Sequence, residues 1–133
     1  MLAGVASALD GRVRALDWPG IQAGLDAHGY AVTPPLLTPA ECAALVSLYG
    51  QEQPFRSTID MARYNFGSGQ YKYFARPLPA LVESLRTSLY PRLAPIANAW
   101  AERLGGPSFP DDLEAFLEVC ARHGQTRPTP VPS

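Results

Sequence analysis

The sequence predicts an α+β domain, mostly helical, with four or five helices, a short strand and one β-hairpin. Three observations carry that prediction. Apolar residues recur at spacings of three and four over 2–16 and again over 78–104, a helical signature. Thr38-Pro39-Ala40-Glu41 is a capping box, with Thr38 as cap, Pro39 in the first helical position and Glu41 three residues on. Between 55 and 76 the helical spacing disappears and β-formers flank Asn65-Phe66-Gly67-Ser68-Gly69. A chain of 133 residues, 47% of them hydrophobic, is the size of one domain and too apolar to remain disordered. No apolar run approaches the ~20 residues that span a bilayer, so no membrane role is expected. A net charge of −1 argues against attraction of the whole surface to DNA or anionic lipid. The amino terminus lacks the early positive charge of a secretory signal, and two cysteines cannot build a disulfide framework. A cytoplasmic location is therefore expected.

Each element follows in order. Leu2, Val5, Ala6, Leu9, Val13 and Leu16 form the stripe of a first helix over 2–15. Asp17 caps a second over roughly 18–27. Pro19 sits in its first turn, Ile21 and Leu25 are its apolar stripe, and Gly29 is its stop. Tyr30-Ala31-Val32-Thr33 is the short strand, closed by Pro34-Pro35. The helix after Thr38 runs to about Tyr49 with Cys42, Leu45, Val46 and Tyr49 inward. Residues 57–64 and 70–75 are the hairpin arms, whose mixed faces leave the register weakly specified. Leu78, Leu81, Leu85, Leu89, Leu93, Ile96, Trp100 and Leu104 mark a long helix, with a kink or break expected at Pro91 and Pro95. A last helix starts near Asp111 or Asp112 and buries Leu113, Phe116, Leu117 and Cys120 until Gly124. Four segments result: a helical part with the strand (1–54), the hairpin (55–76), the long and final helices (77–124), and a Pro-rich extended tail (125–133).

Most chemistry is excluded by inventory. Only His28 and His123 exist, and the position two after each holds Tyr30 or Gln125, so neither opens a His-x-carboxylate iron motif. Neither a metal site nor a catalytic residue is expected. Cys120 and His123, three apart on the last helix, read as a small hydrophobe and a dipole-offsetting imidazole, since no third group orients a nucleophilic pair. Asp111, Asp112, Glu114 and Glu118 read as a solvated helix face. Gly67-Ser68-Gly69 leads into a strand and lacks the third glycine of a dinucleotide fingerprint.

One region remains. Residues 55–76 hold Arg56, Arg63, Lys72 and Arg76 against Asp60, a local charge of +3, with six of the thirteen aromatics. Cations between stacking rings suit an anionic, aromatic ligand such as a flipped base or a single strand. The candidate substrate-binding residues are Arg63, Tyr64, Asn65, Tyr71, Lys72 and Tyr73. The bland alternative is a hairpin whose rings pack on a helix while the basic stems reach outward.

The run Gly29-Tyr30-Ala31-Val32, then Leu36-Leu37-Thr38-Pro39-Ala40-Glu41-Cys42, resembles the opening of Fe(II)/2-oxoglutarate dioxygenases. Met61 to Phe74, Pro77-Leu78-Pro79, Leu89 to Asn98 and Gly124 to Pro130 look like a bacterial AlkB-like oxygenase branch linked to damaged nucleic acid. The resemblance spans roughly 17–130 and implies the amino-terminal support region of a jelly-roll oxygenase. Members continue beyond the position of Pro130 into the core that holds the iron ligands and the 2-oxoglutarate grip, and no residue here corresponds to them. The resemblance therefore implies an incomplete domain, inactive alone. Fe(II) and 2-oxoglutarate would be cofactors of the longer member, with neither bound by this chain. Nucleic acid or another anionic aromatic molecule would be its partner, and exposed apolar surfaces would favour self-association. The alternative is a small nucleic-acid- or anion-binding module, or a protein-interaction module, acting through the 55–76 hairpin.

Overall fold

In the computed structural model the described residues are 2–65 and 67–125; Phe66 and the tail over 126–133, read above as turn and extended chain, lie outside them. Five α-helices flank one antiparallel pair of strands: α1 (Leu2–Arg14), α2 (Trp18–His28), α3 (Pro39–Leu48), β1 (Phe55–Asp60), β2 (Gln70–Phe74), α4 (Ala80–Leu104) and α5 (Leu113–Arg122). The chain divides into two compact units, Met1–Leu36 with Ser84–Ser133, and Leu37–Glu83. No helix among the described residues is long and apolar enough to cross a membrane.

In the first unit, the i, i+4 pair Leu9 and Val13 on α1 is fully buried, worth about 1.5–3 kcal/mol for each side chain. Beyond the end of α1 at Arg14, the Trp18 indole Nε1–H turns back to donate to the Val13 carbonyl at 2.8 Å. Asp17 caps α2 as expected, accepting from the Gly20 N–H at 3.1 Å, and Gly29 closes it at φ +79°, where a Cβ would be strained. Trp100 of α4 donates its indole N–H to Asp26 Oδ1 of α2 at 2.6 Å. Asn98 clamps the backbone of Phe109, donating Nδ2–H to its carbonyl at 3.0 Å and accepting its N–H at 2.5 Å. Tyr90 donates to the Pro110 carbonyl at 2.8 Å, and its ring stacks on Phe116 of α5 at 5.3 Å. Asp112 caps α5 through the Ala115 N–H at 2.7 Å.

Four expectations are corrected. Residues 30–33 form no strand but a loop between α2 and α3. Their β-propensity has no ladder to join, because the sheet among the described residues is β1 with β2 alone. The first hairpin arm ends at Asp60, not at 64: the Asp60 carboxylate accepts the Ala62 N–H at 3.1 Å and bends Met61–Tyr64 into a 3₁₀ turn. Of the α3 stripe only Leu45 is half-buried, for Cys42 and Tyr49 are exposed and Val46 is 75% exposed. On α4 the stripe is only partly covered: Ala94 and Ile96 are buried, while Leu93 and Leu104 face solvent. That helix runs through Pro91 and Pro95, which remove the donors that the Thr87 and Pro91 carbonyls would otherwise receive.

Candidate functional site

The hairpin lies wholly within the second unit, and its local sequence builds it. The Thr38 box is intact, with Thr38 N–H donating to Glu41 Oε1 at 2.8 Å and Glu41 N–H to Thr38 Oγ1 at 3.1 Å. It starts the helix that delivers Tyr49 to the hairpin. Beyond the 3₁₀ turn, Asn65 takes the left-handed conformation at φ 60°, a shape asparagine tolerates better than most residues, and Met61 N–H donates to the Gly69 carbonyl at 2.9 Å. The register then runs Asp60↔Gln70, Ile59↔Tyr71, Thr58↔Lys72, Ser57↔Tyr73 and Phe55↔Phe74, leaving Arg56 in a bulge.

Strand alternation divides the candidate residues between two faces. On one, Tyr71 and Tyr73 meet edge to face at 5.6 Å, and the Arg56 guanidinium lies 4.9 Å from the centre of the Tyr73 ring. Burial pushes the Tyr71 phenol above the usual tyrosine value, helped by its charge coupling and hydrogen bond to Tyr73 and by the proximity of Tyr64. Three phenols thus share one neighbourhood, with Tyr71 41% and Tyr64 50% exposed. Arg63 stands exposed on the adjoining 3₁₀ turn. On the other face, Lys72 turns inward to its own unit. Its ammonium lies 4.2 Å from the Tyr49 ring centre and 5.1 Å from that of Phe55, and donates to the Tyr49 carbonyl at 2.5 Å. Phe55 in turn stacks on Phe74 at 5.2 Å. That charge is already engaged in cation–π and hydrogen-bond contacts.

The structure therefore brings Tyr64, Tyr71 and Tyr73 together and directs Lys72 elsewhere. Arg56, absent from the candidate residues, stands beside the Tyr73 ring. Basic composition pointed to Arg56, but the bulge that aims it has no local sequence signal. An open groove of about 340 Å³ is lined by the loop residues Gln51 and Glu52, by Phe55 to Thr58 of β1 and by Gln70 and Lys72 of β2.

No three of His, Cys, Asp and Glu come together as metal ligands among the described residues. His28 lies against the Tyr30 ring at 6.0 Å, and the His123 ring faces the Val119 carbonyl at 2.9 Å, at the end of its own helix. These donors do not fit a site of two histidines and a carboxylate for iron, so no reaction step is assigned to them.

Residues 69–132 match the model of a family described as an oxygenase catalysing oxidative methylation of damaged DNA. The matched stretch begins beside β2 and takes in α4 and α5. Two uncharacterised Mycobacterium tuberculosis proteins, from strains CDC 1551 and H37Rv, are each 44% identical over 57 residues, or 42% of this chain. The chain spans about a quarter (24%) of the length of these curated relatives. No solved structure matches. From the second hairpin strand onward, the chain is similar to an oxygenase family linked to damaged DNA.

Proposed function

We propose that this chain is the supporting portion of an Fe(II)/2-oxoglutarate dioxygenase acting on damaged nucleic acid, and that it does not turn over alone. The carrying observation is the oxygenase family match over residues 69–132. A further point supports the reading: the matched stretch is about a quarter of the length of the relatives. On this reading the iron ligands and the 2-oxoglutarate grip lie outside the described residues, and the hairpin borders the substrate. The reading also places the protein in the reducing cytoplasm, in keeping with its two free cysteines.

The test compares this chain with a version extended by roughly 90 residues, the length a jelly roll of short strands requires. The chain as written is expected to bind neither Fe(II) nor 2-oxoglutarate tightly and to consume no oxygen, while the extended version turns over. Keto-acid-dependent oxygen consumption by the short chain would sink the proposal.

A second reading is favoured by the Tyr64, Tyr71, Tyr73 and Arg56 grouping: the hairpin itself binds single-stranded nucleic acid by stacking and charge. Binding that weakens with salt, and weakens further when Tyr71 and Tyr73 are both alanine, is its expected outcome. Candidate contacts on this reading are Arg63, Tyr64, Asn65, Tyr71 and Tyr73.

A further inference from the structure

The loop Tyr30–Thr33 keeps features of the strand that its composition predicts. The chain leaves α2 at Gly29 and runs from Tyr30 to Thr33 with no turn or bend until Pro34. Exposure over its first three residues alternates as on a strand: Tyr30 is 66% and Val32 86% exposed, while Ala31 between them is half-buried. Ala31 packs on α2 where Gly24 leaves room, for a Cβ at Gly24 would stand 3.2 Å from the Ala31 Cβ and from the Tyr30 carbonyl oxygen. The N–H groups of Ala31, Val32 and Thr33 enter no backbone hydrogen bond among the described residues. Beside the segment lies an open groove of about 490 Å³, whose walls include Leu16 and Ile21 on one side and Ala31, Val32 and Pro34 on the other.

We propose that Tyr30–Thr33 is a docking edge for a second copy of this chain, the two segments pairing as an antiparallel ladder about a two-fold axis. No residue from Gly29 to Ala40 carries a charge, so two copies meet without repulsion and no charge selects a different partner. Sheet edges in natural proteins carry lysines or bulges that prevent such pairing. Here the protection is Pro34-Pro35 alone, which lacks amide donors and limits the ladder to the four residues before it. A ladder that short is marginal in water, and the apolar groove beside it supplies the burial it needs. The other side of the segment is already occupied by α2 at Gly24, so pairing stops at two copies instead of growing into a fibre.

The experiment follows the full 133-residue chain by sedimentation velocity from about 5 to about 500 µM, with amide hydrogen exchange read at both ends of that range. A monomer–dimer equilibrium is expected, with the amides of 31–33 exchanging about fivefold more slowly at the high concentration. Val32→Lys, at an exposed position, puts like charges into the pair and should weaken dimerisation about tenfold with circular dichroism unchanged. Val32→Thr, β-branched and uncharged, should hold it within about threefold of the parent chain. Association that Val32→Lys leaves unchanged, with no slowing at 31–33, would overturn the edge and assign association to another face such as that of Val46. Slow amides at 31–33 in a monomer at every concentration would overturn the second copy in favour of cover from within the chain. A monomer with fast amides throughout would overturn the proposal outright.

Discussion

Lys72 illustrates how a single side chain changes meaning once its neighbours are known. Its ammonium is held by two rings and one carbonyl, Tyr49, Phe55 and the Tyr49 backbone, and so ties the end of α3 to the hairpin. Lys72→Met keeps the stem and removes the charge. It should cost about 1 kcal/mol, read as a fall of roughly 4 °C in the thermal midpoint. The tyrosines make a second prediction. Tyr71 and Tyr90 are both raised above the ordinary value of 10.0, each first by burial; Tyr90 is then pushed up by Asp112 and Asp111, and Tyr71 by Tyr73. A raised phenol keeps its proton longer in the folded chain than in the unfolded one. Its contribution is therefore complete below about pH 10 and is lost as pH climbs from there through the folded value. Unfolding midpoints by circular dichroism should drop above about pH 10, and Tyr90→Phe should flatten that drop. An unchanged alkaline slope in Tyr90→Phe would contradict the assignment.

At the scale of elements, Gly11 gives a clean test. It lies inside α1 with nothing within 4 Å of where a Cβ would stand, so Gly11→Ala should stabilise the chain by about 0.5–1 kcal/mol, visible as a higher melting midpoint. Gly24 on α2 is the opposite case. A Cβ there would meet the Ala31 Cβ and the Tyr30 carbonyl at 3.2 Å. What could be read in the chain was whatever is decided within a few residues. The Asp17, Thr38 and Asp112 caps stand where the side chains dictate, because each satisfies an amide three positions away. What could not be read depends on distant partners. Tyr30–Thr33 has strand composition but no strand beside it, and Val46 has helical spacing but nothing covering it. The site divided in the same way. The pairing of Tyr71 with Tyr73 follows from alternation along one strand, whereas the contact of Lys72 with a residue 23 positions earlier had no sequence trace.

At the scale of the molecule, the apolar surface is unevenly covered. The buried apolar side chains among the described residues are Leu9, Val13, Ala94 and Ile96, while Val32, Val46, Leu93 and Leu104 are exposed. Apolar residues left facing water favour association between copies. Sedimentation velocity across a hundredfold range of concentration should show a rising mean mass, and Val46→Lys should reduce it. A concentration-independent monomer would remove self-association from the account.

Both tryptophans, Trp18 and Trp100, belong to the unit built from the two ends of the chain, and each indole N–H is tied to a named acceptor, Val13 or Asp26. The middle unit carries tyrosines and phenylalanines but no indole. Selective excitation of indole emission thus watches one unit melt, while the tyrosine signal is weighted toward the other. If the two optical traces separate along a urea gradient, the units come apart in turn; if they superimpose, the whole chain cooperates as one.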